Sequence, residues 1–332
     1  MTNLDAKHVP GTALPVISLA GMRSGDAAAR AAIGAELEQA CANSGFFYLV
    51  DHGVPPSLTT AVFRESRRFF ELPIEQKLEL NRAKSFCNRG YEPLRDQALE
   101  SGTPPDVKEG FYIGVEVPES DPRVVAHTFG FGPNQWPALP GWRETMQTYA
   151  HTMSALGALL MRAVALSLRL PEDYFAQYCS DPVAVLRLLR YPPQAANPLP
   201  DEKGCGAHTD FGAVTFLLQD DAGGLQVWDE RDGWIYAPPI AGAYVVNLGD
   251  MMARWTNDRY RSTRHRVVNL SGRERYSIPF FYDGRADYVI SCLPGCLEPG
   301  EQPKYPPITA GAHLEERIRE SYAFAKAGPG ER

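Results

Sequence analysis

A chain of 332 residues, 44% hydrophobic and 22% charged, is long enough for one large core or two small ones and reads as a soluble globular protein. A formal net charge of −7 without a basic stripe argues against nucleic acid as a partner, because phosphate neutralisation supplies most of that affinity. No unbroken run approaches the roughly 18 apolar residues of a membrane span, and the first residues lack the charged-then-apolar pattern of a signal peptide, so a cytoplasmic protein without a membrane partner is expected.

In chain order, a helix is predicted near residues 26–44, with Asp26 as N-cap, an Ile33, Leu37, Cys41 stripe and Gly45 as the stop. Phe46 to Val50 is a short apolar run that fits a buried strand, followed by turn chemistry over residues 51–55. A second helix follows near residues 57–71, and Pro73 opens a third, short one. Residues 81–140 are rich in Gly and Pro and read as loops with a few short strands, one around Phe111 to Ile113. A long helix over roughly 142–170 presents Met146, Tyr149, Met153, Leu156 and Leu160 to the core, with Pro171 ending it. From residue 183 strand-like pieces alternate with turns: 183–191, 214–219, 225–228, 234–237, 243–248, 265–269, 276–282 and 288–290. Many short strands at this spacing suggest an all-β sandwich or barrel with the helical N-terminal layer wrapped on it as one unit. Six scattered cysteines without a CxxC pair fit free reduced thiols.

The chemistry concentrates in His208-Thr209-Asp210, with His265 downstream. On a strand, side chains alternate faces, so His208 and Asp210 would point the same way. Two imidazoles and one carboxylate leave three positions of an octahedron open, which suits non-haem iron(II), although zinc accepts the same ligand types. Ten residues beyond His265, Arg275 and Ser277 share one strand face, and a guanidinium with a hydroxyl is a good receptor for a carboxylate.

Here the sequence resembles the isopenicillin N synthase-like 2-oxoglutarate/Fe(II)-dependent dioxygenases. The matching pieces run in order along nearly the whole chain: residues 45–55, 69–73, 106–109, 134–137, 208–210, 223–227, Asn247-Leu248-Gly249-Asp250, 262–267 and Arg275-Tyr276-Ser277. The resemblance implies an α+β fold, a double-stranded β-helix (jelly-roll) core with a flanking helical N-terminal layer. It implies a single domain over 1–332, with the N-terminal helical and loop layer at 1–140 and the catalytic core at 183–292. It implies Fe(II) on His208, Asp210 and His265, the remote carboxylate of 2-oxoglutarate on Arg275 and Ser277, Tyr191 assisting there, and O2 as co-substrate. Many members have asparagine two residues before that tyrosine; this chain has Leu189. The implied reaction hydroxylates or desaturates a small-molecule substrate and releases succinate and CO2.

Strand parity extends the site. Arg187 shares a face with Tyr191 and becomes a candidate receptor for a substrate anion; Phe281 shares a face with Arg275 and Ser277 and becomes a candidate aromatic wall. Phe111 is placed on a loop over the mouth. Two other functions stay open at this point: an iron oxidase that does without 2-oxoglutarate, resembling isopenicillin N synthase or aminocyclopropane carboxylate oxidase, and a jelly-roll binding module without turnover. A monomer or weak homo-oligomer is expected.

Overall fold

The alternation that marks the second half of the chain places its side chains on two faces, one toward a helical layer and one toward a second sheet. A computed structural model describes residues 4, 6, 7, 14–195 and 197–326. His8 and the tail Gly328 to Arg332 lie outside the described residues.

The strands are β1 (Val16–Ser18), β2 (Phe46–Val50), β3 (Gly90–Glu92), β4 (Glu109–Glu116), β5 (Phe131–Gly132), β6 (Pro182–Tyr191), β7 (Cys205–His208), β8 (Val214–Gln219), β9 (Leu225–Asp229), β10 (Gly233–Tyr236), β11 (Tyr244–Leu248), β12 (His265–Val267), β13 (Arg275–Arg285), β14 (Val289–Ile290) and β15 (Ile308–Thr309). The helices are α1 (Ala20–Arg23), α2 (Ala27–Asn43), α3 (Pro56–Phe70), α4 (Ile74–Glu79), α5 (Pro122–Val125), α6 (Trp142–Ser167), α7 (Asp250–Trp255) and α8 (Ala310–Lys326). A nine-stranded sheet runs β1-β2-β11-β8-β13-β6-β4-β3 with β5 beside β4, and a four-stranded sheet runs β10-β9-β12-β7. The large sheet therefore takes strands from both ends of the chain.

Period-two alternation sorts two cores. On β13, Tyr276, Ile278, Phe280 and Tyr282 join the core under the helices. The opposite face carries Arg275, Ser277, Phe281 and Asp283. On β6, Leu186 and Leu188 face the helices, while Leu189 and Tyr191 pack with Phe46, Val227 and Val267 in a smaller core drawn from both sheets. Each aliphatic or Phe side chain fully buried in this way contributes about 1.5–3 kcal/mol.

The helix starts follow their caps. Asp26 accepts the Ala28 N–H at 2.9 Å, as its sequence position predicted. α6 stops at Ser167, earlier than Pro171 suggested, because Arg169 adopts a left-handed conformation and Leu170 N–H closes onto Ala165 O at 2.9 Å. α6 also reaches the length and mean hydropathy of a membrane span, although polar residues interrupt its apolar run in the sequence. Its stripe of Met146, Tyr149, Met153, Leu156 and Leu160 is buried, and the helix packs on α2, α3, β6 and β13. The Gly- and Pro-rich stretch contains more strand than its composition suggested: β4 is eight residues long and pairs with β6. The sequence pattern also left α7 and α8 unmarked.

Gly157 lets α6 lie against β13. A Cβ there would sit 2.6 Å from the Tyr282 ring, which is buried and cannot swing away. Gly157→Ala should cost about 1–3 kcal/mol of stability through overpacking, read as a lower urea midpoint with unchanged slope. An unchanged midpoint would show that the two elements have room to separate.

Candidate metal centre

β7 and β12 pair with His208 opposite His265, so the register of two short strands brings the two imidazoles together, ring centroids 4.3 Å apart. Asp210 comes from the turn just past β7, not from the strand itself as its parity with His208 had assumed. It still reaches the same point: His208 Nε2 lies 3.7 Å and His265 Nε2 3.8 Å from Asp210 Oδ1. One ligand atom from each of the three residues falls within 4.8 Å of the others.

Hydrogen bonds leave these three atoms free for a metal. His208 Nδ1 bonds Gly206 O at 2.8 Å and His265 Nδ1 bonds Thr263 O at 3.2 Å, so each ring directs its Nε2 lone pair inward. Asp210 Oδ2 accepts from Thr215 Oγ1 at 2.5 Å and from Asn247 Nδ2 at 2.7 Å, which leaves Oδ1 facing the imidazoles. Burial, then the neighbouring His208, pushes His265 down to about 4, so its ring is neutral at neutral pH. Burial works against ionisation of Asp210, but the two imidazoles and the Asn247 and Thr215 donors hold its carboxyl below the usual range. Neutral imidazole with carboxylate is the donor set that iron(II) accepts.

The motif Asn247-Leu248-Gly249-Asp250 is a brace for this turn. Besides the Asn247 bond, Asp250 N–H donates to Asp210 O at 2.8 Å. The Asp250 carboxylate accepts from Thr209 Oγ1 at 3.2 Å, from Ser262 Oγ at 2.6 Å and from Arg317 of α8 at 3.0 Å. Sequence reading did not assign Asn247, Thr215 or Asp250 to the site. Asn247 and Asp250 fall in a matching segment; Thr215 is distinguished only by its parity on β8.

Arg275 is fully buried, and no protein carboxylate lies within ion-pair distance of it among the described residues. Its guanidinium donates to Ser277 Oγ at 3.1 Å, to Gln219 Oε1 at 3.3 Å and to Gly223 O, and it sits 4.7 Å from the centre of the Tyr191 ring. Gln219 Nε2 is buried without a partner. A buried guanidinium without a counter-ion, next to a hydroxyl and an orphaned amide N–H, fits the remote carboxylate of 2-oxoglutarate. Leu189 is buried in the same small core.

Beside the triad is a cavity of about 590 Å³ whose walls include His208, Asp210, Phe211, Phe281, Arg187 and Tyr112. Leu314, Glu315 and Ile318 of α8 form part of its rim. Phe281 stands where parity put it. Arg187 also reaches the cavity, but it is ion-paired with Glu92, bonded to Gln97 Oε1 at 3.1 Å and stacked over Tyr112. It offers donors there, not the free positive charge that an anion receptor needs. Phe111 requires correction: it lies on β4, opposite Leu188, fully buried against Phe69 and Trp142. The cavity receives its neighbour Tyr112, because the register of β4 on β6 sets Tyr112 opposite Arg187.

Residues 14–139 match the family described as non-haem dioxygenase in morphine synthesis N-terminal, and residues 180–284 match the 2OG-Fe(II) oxygenase superfamily. The 2-oxoglutarate-Fe(II) type oxidoreductase hxnY of Emericella nidulans is 45% identical over 324 residues, covering 95% of this chain and 92% of its own. The chain belongs to the 2-oxoglutarate/Fe(II)-dependent oxygenases. Azadirone synthase LFS of Melia azedarach is 38% identical over 86% of this chain and 87% of its own. A full-length Neurospora crassa protein, crystallised in complex with alpha-KG and thymine, superposes with a TM-score of 0.82 at 32% identity, covering 95% of this chain and 99% of that one. The protein is thus an Fe(II)- and 2-oxoglutarate-dependent oxygenase with a jelly-roll core. The relatives do not favour an oxidase that dispenses with 2-oxoglutarate, and a binding module without turnover does not describe enzymes of this kind.

If Asn247 holds Asp210 in the ligating orientation, Asn247→Leu should weaken Fe(II) or Co(II) binding about 10- to 100-fold in a direct titration. Its backbone pairs with Thr215 and Phe46, so the sheet should persist in the variant. Unaltered metal affinity in a folded variant would remove Asn247 from this role.

Proposed function

We propose that this enzyme oxidises a C–H bond of a small, flat molecule held in the cavity beside the triad, with iron on His208, Asp210 and His265 and 2-oxoglutarate anchored by Arg275, Ser277 and Tyr191. The observation that carries the co-substrate assignment is the buried Arg275 without a protein counter-ion. The substrate class draws on the cavity volume of about 590 Å³, on Phe211 and Phe281 in its walls, and on thymine as the ligand of a neighbour at 32% identity.

Bound iron(II), 2-oxoglutarate and O2 together supply an oxidant, with release of succinate and CO2. The chain's residues do the rest. His208, Asp210 and His265 occupy one face of the metal and leave the other open. Arg275 and Ser277 hold the far end of the ketoacid and thereby set its reach. Phe211 and Phe281 offer flat apolar surface to the substrate, and α8 narrows the mouth against water.

Anaerobic addition of Fe(II) and then 2-oxoglutarate should give the weak visible charge-transfer band of the chelated ketoacid, absent in His265→Ala. Iron binding without a band would sink the 2-oxoglutarate assignment. Arg275→Ala should raise the KM for 2-oxoglutarate about 100-fold, close to 3 kcal/mol for a charge-assisted anchor, while His208, Asp210 and His265 still bind metal. An unchanged KM would take Arg275 out of the role.

A further inference from the structure

Among the described residues, the cavity beside the triad contains a buried acid without a cationic partner. Asp283 lies two residues beyond Phe281 on β13, on the face that also carries Arg275 and Ser277, and it lines the cavity although only 6% exposed. Its Oδ1 accepts the Ala213 N–H at 3.2 Å. Among the described residues no basic side chain reaches it, and Oδ2 accepts no hydrogen bond. The other buried acids nearby are all served: Asp210 by Thr215 and Asn247, Glu92 by Arg187 and Arg82, Asp106 by Lys108.

The position is built, because the turn after Asp210 makes room for the carboxyl. A Cβ at Gly212 would lie 1.5 Å from Asp283 Oδ1, so any other residue there would displace it. Burial disfavours the ionised form of this carboxyl and pushes it up to about 7, and a ligand donor at Oδ2 would offset that burial. Two cations share the wall but neither bonds Asp283: Arg187 is paired with Glu92, and Arg89 donates to the Cys87 and Gly130 carbonyls. The open Oδ2 beside the substrate favours a ligand that brings a donor.

We propose that Asp283 is a specificity-determining residue that accepts a hydrogen bond from a nitrogen-borne donor, a ring N–H or a protonated amine, of a nitrogen-containing substrate lying against Phe211 and Phe281. The inference rests on the reading of this cavity as the substrate site. It identifies the substrate class by the group that would satisfy Oδ2, while Oδ1 stays on Ala213.

The test uses the full chain loaded with Fe(II) and 2-oxoglutarate and a panel of small rings in matched pairs. Each compound with an N–H, thymine among them, is set against its N-methylated or oxygen-replaced analogue, and substrate-stimulated succinate release is measured. The N–H members should stimulate release and their partners should not. Asp283→Asn keeps a carbonyl for the Ala213 N–H and turns the other atom into a donor. It should raise the KM for the N–H compounds at least about tenfold and leave the iron–2-oxoglutarate band in place. Equal stimulation by both members of the pairs, an unchanged KM in Asp283→Asn, or no stimulation by any N–H compound would each overturn the proposal. Loss of the band in the variant would also overturn it, by assigning Asp283 to the support of the metal turn. A wild-type enzyme without the band brings down the co-substrate assignment first and this inference with it, so the two failures are told apart by the spectrum.

Discussion

Everything in the site depends on how one carboxylate is divided. Asp210 Oδ2 is tied to Thr215 and Asn247, and Oδ1 is left pointing at two imidazole nitrogens. A carboxylate in a dry interior accepts whatever donors it finds, so without those two bonds it would turn toward backbone N–H groups and spoil the geometry of the metal face. The Thr215 and Asn247 side chains come from adjacent, paired strands, β8 and β11, whose register sets Thr215 opposite Asn247. The large sheet thus positions the carboxylate and the small sheet positions the imidazoles. Metal binding requires both sheets to hold their spacing.

That requirement explains why so much of the chain was legible. A sheet buried on both faces forces strict alternation, and a shift by one residue would exchange the metal face for the helix face. Phe281 could therefore be placed by counting from Arg275, and the long helix by its Met146 to Leu160 stripe. Counting had no purchase where the stretch reads as loop. Phe111 and Tyr112 are both aromatic and adjacent, and only the register of β4 on β6 decides that Tyr112 enters the cavity and Phe111 the core. His208 and Asp210 converge although Asp210 is off the strand, because β7 ends at His208 and the following turn is pinned through Asp250. Local sequence contains no trace of that long-range pin.

α8 was invisible for a related reason. Its packing residues, including Ala310, Leu314 and Ile318, make a thin apolar stripe among charges, which reads as solvated surface. Its partners supply the missing logic: His313 bonds Phe211 O at 2.9 Å, and Arg317 reaches both Asp250 and the Phe211 ring. The C-terminal helix is thereby linked to the residues on either side of Asp210. Displacing α8 would open the cavity rim and loosen the brace on the metal turn together.

β13 sets the direction of the site. Arg275 and Ser277 stand at one end of its inner face, and Phe281 and Asp283 at the other. Six residues of extended chain separate Ser277 from Asp283, about 20 Å at the usual rise per residue. The two ends lack different partners, a guanidinium without a carboxylate at one and a carboxyl without a cation at the other. On the proposed reading such a strand sorts two ligands by the group each brings: the carboxylate of the ketoacid goes to the arginine end, and a donor-bearing substrate to the aspartate end. Only afterwards do the aromatic walls and the metal determine which C–H bond lies within reach. The small-molecule relatives differ in what they bind, and on this reading the arginine end accounts for what they share, while the far end of β13 is where this chain sets its own substrate.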